Sequence, residues 1–299
     1  MSEPAPTTSR AGAAMAVLAY GLWGLLPIYW KLLASVPAAE VLAHRIVWSL
    51  GLIAIVLFAQ RGWRRTLGYL RSRETRGVML LSTALIATNW FLFIWAVSAD
   101  RVTEASLGYY INPLLNVALA RLFLGERLRP LAAVAVGIAT LAVAYLTLAR
   151  GALPWVSVVL AVTFATYGLV RKRAPVGAVE ELAIETGLVT PLALGYLLWL
   201  EPPGGALVTA APTVALLLVA AGAVTAVPLL AFTGAARRLR YTTLGMVQYL
   251  APTLQLACAV LLYGEPFEAA HAVTFGLIWL AVALYVVDML RVRAAARPA

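Results

Sequence analysis

Long apolar runs, broken at intervals by short polar or glycine- and proline-bearing stretches, fill the chain from about residue 13 to residue 290. Each run is close to the ~20 residues that a helix rising 1.5 Å per residue needs to cross the ~30 Å hydrocarbon layer of a bilayer. The breaks predict ten helices, over 13–34, 40–60, 77–99, 103–124, 130–149, 152–170, 180–200, 212–235, 242–263 and 269–290. In lipid an apolar run of this length is helical because only a helix or a closed barrel satisfies its own backbone N–H and C=O groups. The first run is span-length without a convincing cleavage site, which predicts an anchored helix and no removed leader. No connection between runs is long enough to hold a soluble domain.

Composition agrees and adds a direction. Hydrophobic residues make up 63% of the 299 and charged residues 12%, against about 25% charged in a soluble domain. Mean hydropathy is +0.88, which leaves too little polar surface to cover a water-soluble globule. The net charge of +10 is not the footprint of a nucleic-acid binder, because its basic residues do not gather on one solvated face. They sit instead in alternate connections: Arg10, six arginines within 61–76, Arg127 and Arg129, the 171–173 cluster, Arg237, Arg238 and Arg240, and Arg291, Arg293 and Arg297. Only Lys31, Arg101 and Arg150 fall in the other set, a bias of eighteen to three that predicts both termini in the cytoplasm. The single cysteine, Cys258, excludes an internal disulfide and any multi-cysteine metal site, and reads as a small apolar residue.

The chain also repeats itself. Shifted by 139 residues, 84–126 aligns with 223–265 without a gap and 14 of the 43 positions are identical, among them Phe93 with Phe232, Tyr110 with Tyr249, Pro113 with Pro252 and Glu126 with Glu265. Earlier segments align only faintly, through Lys31 with Lys172 and Glu40 with Glu181. Residues 1–150 and 151–299 thus read as two five-helix repeats. An odd number of spans per repeat inverts the second copy, the arrangement that lets two halves rock about a site near the bilayer midplane.

Polar side chains at membrane depth are costly and face the protein interior or a cavity. In the fourth segment Tyr109, Pro113 and Asn116 share one helical face with Asn112 beside them, and the repeat carries this face to Gln248, Pro252 and Gln255. The stripe is either cavity lining or interhelical hydrogen bonding. Glu40, His44 and Trp48 lie at i, i+4 and i+8 with Arg45 adjacent. Arg45 either snorkels or pairs with Glu40, or it holds an anionic group while His44 titrates. Glu185 is a third candidate for charge or proton coupling, the alternative being a solvated or lysine-paired carboxylate at a span edge. Trp23, Asn89 and Trp90 lie deep, whereas Tyr29, Trp30 and Lys31 read as interfacial anchors. Rings with a few amides suit a small, largely apolar solute bearing one or two hydrogen-bonding groups.

Metal-protease spacing, a nucleophile elbow and a phosphate-cradling glycine loop do not occur in the sequence. An intramembrane enzyme would need a reactive cluster at one membrane face, and a passive channel a continuous polar lining; a carrier needs only isolated polar positions such as these. No cofactor or metal is expected. The expected partners are a small solute and the lipid of the cell membrane, with the chain a monomer or homodimer and no nucleic acid.

Five stretches carry a resemblance. GLWGLLPIYWKLL at 21–33, AEVLAHRIVWS at 39–49, NWFLFIWAV at 89–97, EASLGYYINPLLN at 104–116 and AARRLRYTTLGMVQYLAPTLQ at 235–255 resemble the RarD-type branch of the drug/metabolite transporter superfamily, also described as EamA-type permeases. The resemblance implies ten helices in two inverted repeats, a central cavity and export or exchange of small metabolites. It places Trp23, Asn89, Tyr109, Asn112, Tyr167, Gln248 and Gln255 among the cavity liners.

Overall fold

The structure, a computed structural model, describes residues 10–124, 129–171, 176–236, 238–239 and 241–295. Glu126, Arg127, Lys172, Arg173, Arg237, Arg240 and Arg297, which carry part of the charge and repeat patterns, lie outside the described residues. Among those described there is no β-strand. The helices are α1 (Arg10–Leu32), α2 (Ala38–Ala59), α3 (Trp63–Tyr69), α4 (Arg73–Ser98), α5 (Val102–Leu124), α6 (Pro130–Arg150), α7 (Trp155–Arg171), α8 (Ala178–Trp199), α9 (Ala206–Thr209), α10 (Pro212–Ala236), α11 (Tyr241–Val247), α12 (Leu250–Ala257) and α13 (Ala269–Ala295), with a π-helical turn at Cys258–Leu262.

Local chemistry sets the ends. Ser72 caps α4 by accepting the Thr75 N–H at 3.3 Å. Pro130 opens α6, where its missing N–H costs nothing, and Gly151 closes it in the left-handed region at φ 66°. Each predicted segment coincides with helix to within a few residues, and α3 and α9 are short additions inside predicted connections. The ninth segment differs, because 242–263 is broken between α11 and α12. Pro252 cannot donate to the Gln248 carbonyl, which accepts from Ala251 instead at 3.2 Å, so the chain turns at Gln248 and Tyr249.

Seven helices among the described residues, α1, α2, α4, α6, α8, α10 and most of α13, are long and apolar enough to cross a membrane. The outside of the bundle is apolar: Phe58 is 79% exposed and Leu261 84%. A soluble monomer rarely leaves large continuous apolar patches in water, so the chain is a multi-pass membrane protein. Where helices meet, small residues let backbones approach. The buried stripe of α6, Ala132, Ala135, Ala139, Ala142 and Leu146, packs on α13 at Phe275, Ile278 and Ala281. A Cβ on Gly222 of α10 would sit 2.5 Å from the Trp48 carbonyl carbon of α2, and one on Gly108 of α5 would sit 2.7 Å from the Ser157 oxygen of α7.

Helices of 1–150 pack on helices of 151–299: α2 on α8, α5 on α12, α6 on α13, α1 on both α10 and α12, and α4 and α5 on α7. Tyr110 and Tyr249, equivalent in the sequence repeat, stack with centroids 6.2 Å apart at 21°.

Candidate functional site

α2 places its charged residues on two sides. Glu40, in its first turn, accepts the Ala206 N–H on Oε1 at 2.5 Å and so holds the one-turn helix α9. His44, one turn on, has Nε2 4.0 Å from the same oxygen. Arg45 turns inward: it is 5% exposed, its Nε donates to Thr225 Oγ1 at 2.8 Å, and the Thr225 hydroxyl in turn donates to the Ala221 carbonyl at 2.9 Å. The guanidinium carbon lies 4.1 Å from the Trp90 ring centroid and 5.3 Å from that of Trp30. Snorkelling and pairing with Glu40, the structural alternatives for Arg45, are both replaced by this buried seat. Trp30, expected as an interfacial anchor, is 1% exposed and forms one wall of it.

Beside Trp90 on α4, Asn89 bridges three helices. Its Nδ2 donates to the Leu160 carbonyl (3.0 Å) and Thr163 Oγ1 (2.9 Å) of α7, and its Oδ1 accepts from the Tyr109 hydroxyl of α5 at 3.0 Å. The Tyr109 ring sits edge-on between Phe93 and Phe164, with centroids at 5.6 and 5.9 Å. Asn89, Trp90, Tyr109 and Arg45 therefore form one contiguous group.

The rest of the mirrored stripe divides. Asn116 is exposed and donates to Asn112 Oδ1 at 2.9 Å, while buried Asn112 leaves its Nδ2 without a partner. Gln255 of α12 donates through Nε2 to the Trp23 carbonyl at 3.3 Å. That carbonyl is free because Pro27, four residues on, has no N–H to offer it. The Trp23 ring packs on Tyr20 and Phe232, and Gln255 Oε1 is buried and unpartnered. Gln248 lies half-buried in the turn before α12, so the stripe expected along one unbroken helix is interrupted between Gln248 and Pro252.

A second charged group lies toward the arginine-rich end. Glu180 pairs with Arg65 and Glu181 with Arg171. Glu185, 3% exposed, accepts from Ser82 Oγ at 2.5 Å and from the Tyr167 hydroxyl at 3.4 Å. It is not solvated, its partners among the described residues are hydroxyls rather than a lysine, and Tyr167, expected to line a cavity, is tied into this cluster with Arg171 5.3 Å from its ring. At the opposite end Lys31 pairs with Asp100, and the Glu265 carboxylate caps α5 by accepting the Val102 and Thr103 N–H groups at 2.6 and 2.8 Å.

The residues missed in the sequence, Trp30, Thr225, Ser82, Arg65 and Arg171, are all partners drawn from other helices. Only the basic runs at 61–76 and 171–173 facing three glutamates on one helix hinted at any of them. Among the described residues no three His, Cys, Asp or Glu side chains stand close enough to hold a metal.

Residues 10–148 match the EamA-like transporter family. An "Uncharacterized transporter" of Vibrio cholerae is 44% identical over 297 residues, 99% of this chain and 98% of that protein. The protein RarD of Escherichia coli (strain K12) is 43% identical over 281 residues, 94% of this chain and 95% of that one. A solved crystal structure, 21% identical, superposes with a TM-score of 0.58 over 93% of this chain and 98% of its own, a likeness of fold alone. Being 43–44% identical to RarD proteins over 94–96% of its length, the chain belongs to the RarD branch of the EamA-like drug/metabolite transporters.

Proposed function

We propose that this membrane transporter is a secondary-active carrier of a small organic solute, working by alternating access about the Arg45–Trp90–Asn89–Tyr109 group. The observation that carries the reading is that this group draws on both halves of the chain: Trp30, Arg45, Asn89, Trp90 and Tyr109 come from 1–150, and Leu160, Thr163 and Thr225 from 151–299. Two halves that share one site alter it when they rock. The helix contacts between the two halves and the Tyr110–Tyr249 stack support ten spans in two inverted repeats. The charge bias supports a cell-membrane orientation with both termini in the cytoplasm. Trp23, Asn112, Asn116, Gln248 and Gln255 complete the solute path in this reading. His44 and Glu185 are the buried titratable groups on which proton coupling would fall.

The test is counterflow in vesicles reconstituted with the purified protein, using a panel of labelled organic solutes. A carrier gives saturable flux accelerated by unlabelled solute on the far side. Flux that rises linearly without acceleration indicates a channel and overturns the proposal. Single cysteines placed at 61–76 in a Cys258→Ala background check the orientation, and labelling from outside intact cells reverses it.

A further inference from the structure

The Arg45 guanidinium is buried with almost none of its bonding capacity used. Of its five N–H donors one is spent, on a neutral hydroxyl. Among the described residues the two terminal nitrogens make no hydrogen bond and no carboxylate lies within 4.0 Å of them; Glu40, one turn back on α2, is taken up by Ala206. Among the described residues further buried polar atoms without a partner lie on both sides of this stretch of α2: Ser49 Oγ one turn along from Arg45, His44 Nε2 and Trp48 Nε1 on the adjoining side, and Trp30 Nε1 on a ring that faces the guanidinium. A buried cation without a countercharge is expensive, and two indole faces offset only part of that cost.

We infer that the missing countercharge is the ligand, and that this site binds an organic monocarboxylate whose apolar or aromatic body lies against Trp90, Trp30 and Tyr109. The planar fork of arginine matches the two oxygens of a carboxylate. Among the described residues Arg45 is the cation this site offers, Lys31 being held by Asp100, and one cation selects one negative charge over two. Glu40, the carboxylate on the same helix, is engaged by Ala206, so among the described residues of this site an ammonium group finds no free carboxylate and the zwitterion of an amino acid is disfavoured. Binding stands by itself; that the bound anion is also the carried solute rests on the carrier function proposed above.

The experiment is calorimetric titration of the purified protein in detergent with a matched set: phenylacetate and hexanoate as carboxylates, phenylacetamide as the neutral analogue, phenylalanine as the zwitterion. Both carboxylates are expected to bind saturably, and the amide and the zwitterion about tenfold or more weaker. Arg45→Lys, which keeps the charge and loses the fork, weakens phenylacetate by about tenfold. Arg45→Met abolishes binding, yet without ligand it melts no lower than the wild type, because the lone cation does not stabilise the empty protein. The inference is overturned if neither carboxylate binds up to ~10 mM, if phenylacetamide binds as well as phenylacetate, or if Arg45→Met keeps affinity. A lower melting temperature for unliganded Arg45→Met also overturns it, since the guanidinium is then a packing element. Loss of counterflow with phenylacetate binding intact removes the carrier and leaves the site; counterflow of phenylacetamide with no carboxylate binding does the reverse.

Discussion

Arg45 on α2 and Glu181 on α8 are equally buried, each 5% exposed, and their helices pack against one another. Glu181 has its countercharge in Arg171, and its neighbour Glu185 is held by two hydroxyls. Arg45 has one neutral hydroxyl and two ring faces. The difference separates two uses of buried charge. A compensated group fastens helices together, and removing one partner strands the other. An uncompensated group stabilises nothing until a ligand of opposite sign arrives, so it marks a site where a paired one marks a joint.

Substitutions sharpen that contrast. The largest effect is expected at Gly222, where any Cβ collides with the α2 backbone at Trp48 and Ser49. Gly222→Leu forces α2 from α10, separates Arg45 from Thr225, and lowers stability by about 3 kcal/mol or more, read as lost yield of monodisperse protein. Arg171→Met strands Glu181 and costs about 2 kcal/mol, less than a fully buried pair because the arginine side chain is 33% exposed. Thermal unfolding in detergent checks this, and adding Glu181→Gln is expected to recover most of the loss. Ser82→Ala removes one of the two hydroxyls on Glu185 and lowers stability by about 1–2 kcal/mol in the same measurement. Arg45→Met, by contrast, leaves the unliganded protein at least as stable as wild type; a melting curve that falls like that of Arg171→Met erases the distinction between joint and site. Gln255→Leu takes the donor from the Trp23 carbonyl and costs about 1 kcal/mol, while the smallest effect belongs to exposed Asn116→Leu, within about 0.5 kcal/mol in stability; each shifts solute affinity a few-fold by titration.

Helix positions were legible in the chain because run length and breaks are local properties. The proline at 252 was visible too, but not the break in the helix at Gln248 and Tyr249 that accompanies it. Polar residues at depth could be picked out one by one, since each is costly in lipid wherever it sits. Their partners could not. Arg45 meets Thr225 across 180 residues of sequence and Glu40 meets Ala206 across 166.

The sequence by itself determined that this is a membrane-spanning helical chain with an internal repeat, and which side chains carry polarity into the apolar layer, because length, hydropathy and repetition are written along one dimension. The tertiary structure decided which of those side chains meet. The rotation and axial offset of each helix follow from close approaches such as Gly222 on Trp48 and Gly108 on Ser157, made between residues far apart in the chain. A rotation of one helix is enough to exchange an anchor for a cage wall, as at Trp30, or a solvated carboxylate for a buried one, as at Glu185.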